Sequence, residues 1–287
     1  MKSLRQCGCS VVVAIAMAPL LAWLPAPALA QSIALVTDVS GRVSGPGTIT
    51  ILSEIAADAR LQLDAGSRLV AIYLKSGDEY TFTGPSQVQF RAAEPQVIQG
   101  AKPQKKSSPL GKGGNVTIKP VGVAQAAYVM RSGRTTARIK LLTLSGTKSL
   151  ESSPEFRWQE LEAGVSYRFE LTDDTGKSLY VTTAPGTSLR LPSSLLLREG
   201  VAYTWEVSAR TPDNRRYVSA GDFSVAPADL TAQAEALRPP AGSPVSQRVA
   251  YAAWLDQMEL KDEARKYWQA LSAERPDDSK LKALAAE

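Results

Sequence analysis

The segment PEFRWQELEAGVSYRFEL, residues 154–171, and the segment GVAYTWEV, residues 200–207, decide the fold of the C-terminal half of this chain. In both segments apolar side chains alternate with polar ones, and the runs around Leu179, Leu189 and Phe223 do the same. Alternation with a period of two is typical of a strand with one buried face. About seven such runs in roughly seventy residues predict an antiparallel β-sandwich.

The aromatic residues of this segment occupy positions expected of a sandwich core. Trp158 lies on an early strand, and Tyr203 follows Gly200 by three residues at the start of a late strand. The pattern resembles the fibronectin type III and immunoglobulin-like superfamily, which has a core tryptophan and a tyrosine corner at these points. The resemblance implies a disulfide-free sandwich over residues 151–227. We expect Tyr167 and Trp205 to point into the core as well.

Residues 31–91 form a second region of short alternating runs, with turns of Gly, Pro and Ser between them. Examples are the runs at residues 61–63, 69–73 and 80–82. Five or more strands at a spacing of about 8–12 residues predict a small all-β domain. No helix is expected in this region.

The motifs of this region resemble the FecR-type periplasmic domain. They are, in order, Val39-Ser-Gly-Arg-Val43, Leu61-x-Leu63-x-x-Gly66-Ser-x-Leu69, Asp78-x-Tyr80 and Thr83-Gly-Pro-Ser86. Better-known members of that family carry a cytoplasmic helix and a transmembrane span before the domain and relay an outside signal to a sigma factor. We expect neither part here. The resemblance therefore implies a stand-alone exported module for binding or scaffolding, not for catalysis.

Residues 92–115 are rich in Gln, Pro, Lys, Ser and Gly and poor in apolar residues. Such a segment buries too little surface to offset the entropy lost on ordering, which predicts a basic flexible linker or loop. Four lysines in it are candidate contacts for an anionic surface. They are Lys102, Lys105, Lys106 and Lys112. Without interleaved aromatic residues or arginines they do not indicate nucleic acid. The apolar runs of residues 116–150 predict bridging strands.

Residues 228–287 change to a helical period of 3.6. A first helix is predicted over residues 229–237 and a second after Ser243, which can cap it with Pro244 at the first helical position. A third helix begins at Lys261 and ends before Pro276.

The last two predicted helices form a hairpin that resembles one tetratricopeptide unit. The matching positions are Ala252, Ala264, Trp268 and Pro276. That family stacks its repeats into a peptide-binding surface. Two alternatives follow: the hairpin docks on the sandwich of its own chain, or it binds another protein. The candidate partner surface in the second case consists of Tyr251, Trp254 and Trp268.

Residues 1–30 have the pattern of a signal peptide. A short basic start precedes an apolar run over residues 11–24, and Ala28 and Ala30 fit cleavage before Gln31. The run contains a proline and is shorter than the ~20 residues that span a bilayer. We therefore predict an exported protein, periplasmic or secreted, without a transmembrane span and from a Gram-negative bacterium.

The residue types that are missing narrow the chemistry. The chain has 287 residues, a net charge of +5, no histidine and two cysteines. Both cysteines, Cys7 and Cys9, fall inside the predicted signal peptide. Without histidine there is no imidazole acid or base, no Ser-His-Asp triad and no histidine-ligated metal. No cofactor is expected.

The predicted fold class is mainly β: a FecR-like roll, a fibronectin- or immunoglobulin-like sandwich and a small α-helical hairpin. The predicted function is non-enzymatic: an exported periplasmic protein that binds or scaffolds a protein or a cell-envelope polymer. One alternative is a FecR-like regulatory accessory that docks to a membrane partner. The least favoured alternative is a carboxylate-based hydrolase. Its candidate residues near turns are Asp58, Asp64, Asp78 and Glu79.

Overall fold

The computed structural model describes residues 32–108 and 138–286. Within these ranges the protein is mainly β, with two β regions followed by helices, so the predicted fold class is confirmed. The predicted signal peptide with its cleavage residues Ala28, Ala30 and Gln31 lies outside the described residues. Lys112 and residues 116–137 of the predicted bridging strands also lie outside them.

The first β region contains nine strands in two facing sheets. They are β1 (Ser32–Ser40), β2 (Val43–Ser44), β3 (Glu54–Ala56), β4 (Arg60–Leu63), β5 (Arg68–Tyr73), β6 (Asp78–Thr83), β7 (Ser86–Phe90), β8 (Pro95–Gln99) and β9 (Gln104–Ser107). One sheet has the order β3-β1-β5-β6-β9 and the other β2-β4-β7-β8. Between them lies a core that includes Tyr73, Phe82 and Phe90.

The predicted linker is wrong for residues 95–99 and 104–107, which form strands β8 and β9. β9 pairs antiparallel with β6 at the edge of its sheet, and β8 pairs with β7. An edge strand is held by backbone hydrogen bonds along one side and needs few apolar side chains, and lysines on an edge discourage pairing with other chains. Low hydrophobicity therefore does not indicate a flexible segment here.

The second β region is the predicted sandwich. Its strands are β10 (Thr147–Ser149), β11 (Glu155–Arg157), β12 (Tyr167–Asp173), β13 (Ser178–Ala184), β14 (Ser188–Arg190), β15 (Ala202–Arg210) and β16 (Arg216–Val225). The larger sheet has the order β10-β16-β15-β12-β13, with β10 parallel to β16 and the other pairs antiparallel. The smaller sheet pairs β11 with β14.

The aromatic residues predicted for the sandwich core are buried. Trp158, Tyr167 and Trp205 are each no more than 1% exposed. The Tyr203 hydroxyl accepts a hydrogen bond from the backbone N–H of Arg198 at 2.8 Å, which is the geometry of a tyrosine corner. The indole of Trp205 donates to the carbonyl of Leu144 at 2.7 Å. Alternation in the sequence therefore assigned the inner face of this region correctly.

Four helices follow the sandwich. They are α1 (Ala228–Leu237), α2 (Val245–Gln257), α3 (Lys261–Glu274) and α4 (Ser279–Ala286). The first three match the predicted helices closely. The predicted cap is wrong in detail, because Pro244 is the N-cap of α2 and no side chain caps that end. The fourth helix was not predicted. None of the described helices is both long and apolar enough to cross a membrane.

The helical region docks mainly on the first β region rather than on the sandwich. Leu35 of β1 and Ile72 of β5 share a core with α2 and α3. β1 and β5 are therefore buried on both faces, one facing the core between the sheets and the other facing the helices. The contact with the sandwich is smaller and includes a hydrogen bond of 2.7 Å from Lys148 N–H to the Glu259 carbonyl.

Candidate functional site: an arginine pocket on the sandwich

The aromatic residues predicted as a partner surface lie in the protein core. Tyr251, Trp254 and Trp268 are 2%, 0% and 2% exposed. The Tyr251 hydroxyl donates to the carbonyl of Ala234 at 2.9 Å, and the Trp268 indole donates to Asp256 at 2.7 Å. These rings cannot contact another protein, because helices α1 to α4 and the first β region already cover them. The candidate partner surface on the hairpin is wrong.

Lys105 and Lys106, two of the predicted lysine contacts, do not share one surface. Lys105 and Lys106 are neighbours on β9, so their side chains point to opposite faces of the sheet. Lys105 pairs with Asp78 at 2.9 Å and lies over the ring of Tyr80. Hydrogen bonding to Asp78 raises the pKa of Lys105 and holds its charge against a carboxylate. Lys102 is exposed in the loop before β9.

Three of the four carboxylates considered for a hydrolase lie beside three different basic side chains of the first β region. Asp58 pairs with Arg91 at 3.1 Å, and Asp78 pairs with Lys105. Asp64 lies 4.0 Å from Arg42, and Glu79 is buried on β6. Within the described residues, no three His, Cys, Asp or Glu side chains are grouped so that they could hold a metal ion.

A pocket lined by arginines lies on the outward face of the larger sandwich sheet. Its volume is about 390 Å³. It is lined by Ser166, Arg168, Thr183, Ser208, Ala209, Arg210 and Arg216. Strands β12, β13, β15 and β16 supply all of these residues except Ser166, which directly precedes β12. The pocket therefore combines three guanidinium groups with three hydroxyl groups on a rigid sheet.

Strand register places the three arginines next to one another. Arg210 and Arg216 are direct partners across the antiparallel pair of β15 and β16. Arg168 pairs with Ser208, so Arg210 is its diagonal neighbour on the adjacent strand. Direct partners in a sheet have Cβ atoms about 5 Å apart, and like charges in this arrangement are destabilising. The lining of the pocket thus contains an electrostatically unfavourable pair.

The turn between β15 and β16 explains why these two arginines face each other. Residues 211–215 close the hairpin, with Thr211 and Arg215 joined by a backbone hydrogen bond of 3.0 Å. Asn214 has a positive φ of 66°, a conformation that Asn tolerates better than most residues. The residues that flank a closed hairpin turn are opposite partners, and here both are arginine.

The arginines of the pocket differ in how their charges are balanced. Arg168 pairs with Glu170 at 2.8 Å. Hydrogen bonds from Arg168 and, to a smaller extent, from the Ser178 hydroxyl lower the pKa of Glu170. Arg210 donates to the neutral amide oxygen of Asn214 at 2.5 Å. Within the described residues, neither Arg210 nor Arg216 forms an ion pair. Two positive charges therefore face the pocket without a carboxylate.

A larger groove, of about 670 Å³, runs beside β16. Opposite charges line it at Arg138 and Asp222, together with small and apolar residues. Its floor is close-packed at Gly221, where a Cβ atom would lie 2.8 Å from the Trp205 indole nitrogen and 2.9 Å from the Leu144 carbonyl. The groove carries no excess of one charge, so the arginine pocket is the better candidate site.

The sequence contains a signal for the arginine pocket that alternation alone does not reveal. The stretch Arg210-Thr-Pro-Asp-Asn-Arg-Arg216 places two arginines at the ends of a five-residue turn. A hairpin prediction at Pro212-Asp-Asn would have paired them. The turn sequence does not predict that Arg168 lies beside these two arginines, because the position of Arg168 depends on which strand pairs with β15.

Comparisons with known proteins add no argument about this site. No protein-family model and no curated protein matches the sequence. Among solved structures, the chain is similar to CopC from Methylosinus trichosporium OB3b at 19% identity and a TM-score of 0.26, over 32% of this chain and 96% of that one. It is also similar to the Parabacteroides merdae β-glucuronidase at 16% identity and a TM-score of 0.22, over 32% of this chain and 14% of that one.

Proposed function

We propose that this protein is an exported, non-enzymatic binding protein that holds an anionic macromolecule of the cell envelope on the outer face of its sandwich. The observation that carries the proposal is the opposed pair Arg210 and Arg216, which has no carboxylate partner within the described residues. Export to the periplasm rests on the signal-peptide pattern of residues 1–30.

The physical reason is the cost of leaving two like charges opposite each other. A cross-strand pair contributes or costs about 0.2–1 kcal/mol, and replacing either arginine by glutamate would convert repulsion into attraction. A bound anion also converts the repulsion between the two arginines into attraction, because it places a negative charge between them. Guanidinium groups suit this role because they stay charged and present parallel N–H groups to an oxyanion.

The helical region supports the proposal in a different way. Its aromatic side chains are buried against the first β region, so the aromatic residues of the hairpin offer no surface to a partner. The FecR-like, immunoglobulin-like and tetratricopeptide-like resemblances remain predictions from the sequence.

The test is co-sedimentation of the mature chain, residues 31–287, with envelope fragments of a Gram-negative bacterium over a range of salt concentrations. We expect the double variant Arg210→Gln and Arg216→Gln to bind at least tenfold more weakly, since each charge-assisted hydrogen bond contributes about 1.5–3 kcal/mol. Wild-type binding should also fall as salt rises, because exposed charges are screened.

The matched control is the double variant Arg157→Gln and Arg190→Gln. It removes the same charge from exposed arginines on the smaller sandwich sheet. Equal binding by all three proteins, or an equal loss in both double variants, would contradict the proposal. Far-ultraviolet circular dichroism would establish that each variant is folded.

A further inference from the structure

We propose, building on the function above, that the ligand of the arginine pocket is a polysaccharide that carries carboxylate groups. A sugar carboxylate binds between Arg210 and Arg216, and the hydroxyls of the same sugar chain bind Ser166, Thr183 and Ser208.

The charge of the pocket fits a carboxylate, because two carboxylates of the chain in the same region are each held by one guanidinium group and one hydroxyl group. Glu170 is held by the guanidinium of Arg168 and the hydroxyl of Ser178, and both lower its pKa. Asp213, in the adjacent turn, is held by the hydroxyl of Thr211 and the guanidinium of Arg215, which also lower its pKa. Arg210 and Arg216 lie beside Ser208 but have no such carboxylate.

The hydroxyl groups of the pocket fit a sugar. Ser166, Thr183 and Ser208 come from three different strands or their ends, and each hydroxyl both donates and accepts hydrogen bonds. None of these three side chains has a hydrogen-bond partner within the described residues. A lone inorganic anion would use the arginines and leave most of these groups to water. A carboxylated sugar uses both sets.

The residue types that are missing from the lining disfavour other polyanions. Of the described residues that form the pocket, none is aromatic, so bases have no ring to stack on. The apolar lining residue is Ala209, which offers nothing to insert into a bilayer. The volume of about 390 Å³ lies near the lower end of the range for small-molecule sites. That size suits a short stretch of a polymer that continues past the pocket along the sheet.

The experiment measures binding of the mature chain to four probes by isothermal titration calorimetry or co-sedimentation. Polygalacturonate supplies carboxylated sugars, and its methyl ester supplies the same sugars without charge. Polyphosphate supplies charge without sugar, and phosphatidylglycerol vesicles supply an anionic membrane. We expect binding of polygalacturonate to be at least tenfold tighter than binding of the methyl ester, and tighter than binding of polyphosphate or vesicles.

Two variants separate the charge from the hydroxyls. Arg210→Gln with Arg216→Gln should abolish measurable binding of polygalacturonate. Ser166→Ala with Thr183→Val and Ser208→Ala keeps every charge and should weaken polygalacturonate binding about fivefold, a loss of roughly 1 kcal/mol from hydrogen bonds. The same hydroxyl variant should bind polyphosphate as well as the wild type does.

The outcomes distinguish this inference from the proposed function. Arginine-dependent binding of polyphosphate or vesicles, with no preference for polygalacturonate, would overturn the polysaccharide and leave an anion-binding protein. An unchanged affinity of the hydroxyl variant for polygalacturonate would overturn the sugar contacts. Absence of binding to any probe, together with arginine-independent binding to envelope fragments, would overturn both proposals.

Discussion

Two arginine pairs in this protein have opposite electrostatic surroundings. Arg68 and Arg275 both bind the carboxylate of Asp38, at 2.8 Å and 2.7 Å, where β1 meets the end of α3. Arg210 and Arg216 face each other on the outer sandwich sheet without a carboxylate. The Asp38 side chain is only 4% exposed, whereas Arg210 and Arg216 are exposed to solvent.

The difference between the pairs is the position of the counter-charge. At Asp38 the chain itself provides the carboxylate. The pair with Arg275 joins the helical region to the first β region, and the pair with Arg68 lies within the first β region. At the arginine pocket the counter-charge has to come from outside the pair. We infer that charges in the first setting stabilise the fold and charges in the second setting bind a ligand.

The substitution Trp254→Ala tests whether the helical region belongs to the core. Trp254 is 0% exposed and packs beside Tyr251. We expect the free energy of unfolding to fall by about 4 kcal/mol, a typical loss when a buried tryptophan is replaced by alanine. Urea denaturation followed by circular dichroism measures the change. Leu196→Ala is the control, because Leu196 is 63% exposed and should change stability by less than about 0.5 kcal/mol. Equal effects would mean that the helices do not depend on this core.

The substitution Asp38→Asn removes the counter-charge of the buried cluster. Arg68 and Arg275 then face each other without a carboxylate but keep access to water, so we expect the free energy of unfolding to fall by about 2 kcal/mol from the lost charge-assisted hydrogen bonds. Asp64→Asn is the matched control, since Asp64 and Arg42 are exposed and 4.0 Å apart. Surface pairs of that kind contribute about 0–1 kcal/mol. A small effect at Asp38 in urea denaturation would show that the cluster does not brace the two regions.

The substitution Tyr251→Phe removes one buried hydrogen bond and one ionisable group. Loss of the bond to the Ala234 carbonyl should cost about 1 kcal/mol at neutral pH. Burial raises the pKa of Tyr251 from 10.0 to about 12. The folded state therefore favours the neutral phenol, and this stability is present below pH 10.0 and is lost as pH rises towards 12.

The measurement for Tyr251 is a series of urea denaturation curves between pH 8 and 12. The wild type should lose stability over the upper part of that range more steeply than Tyr251→Phe does. Parallel pH profiles of the two proteins would argue against burial of an ionisable hydroxyl at this position. Tyr217→Phe serves as a control, because Tyr217 is only partly buried.

The substitution Arg216→Glu gives the smallest change in stability and the sharpest contrast with Asp38→Asn. It places a carboxylate opposite Arg210, so the free energy of unfolding should rise by about 0.5 kcal/mol. Binding to anionic polymers should be lost in the same protein. A variant that gains stability and loses binding is the signature expected of a functional site. Lower stability in thermal unfolding would indicate that the arginine pair has a structural role.

Local patterns in the sequence predicted much of the fold. Alternation predicted β4 to β7 and the inner face of the sandwich, and the position of Tyr203 after Gly200 predicted a hydrogen bond between its hydroxyl group and the backbone. The helical period predicted α1 to α3. These features depend on neighbours within a few residues, which is the range over which side-chain periodicity and turn residues act.

The errors arose where a distant element decides the environment of a residue. Trp254 and Trp268 are aromatic residues of the kind found in binding surfaces, but they share a buried core with side chains of β1 and β5. One local signal for this contact was missed: Leu69-Val-Ala-Ile-Tyr73 is an unbroken apolar run, which indicates a strand covered on both faces. Edge strand β9 was missed because its stability comes from pairing with β6.

The sequence by itself determined strands β4 to β7, the inner face of the sandwich and helices α1 to α3, and it restricted the chemistry by omitting histidine. Only the tertiary structure decided which surfaces remain available. It buried the aromatic residues of the helices, placed Lys105 and Lys106 on opposite faces and brought Arg168 beside Arg210 and Arg216. The physical reason is that periodicity reports which face of an element is apolar, whereas the partner of that face depends on contacts between residues far apart in the chain.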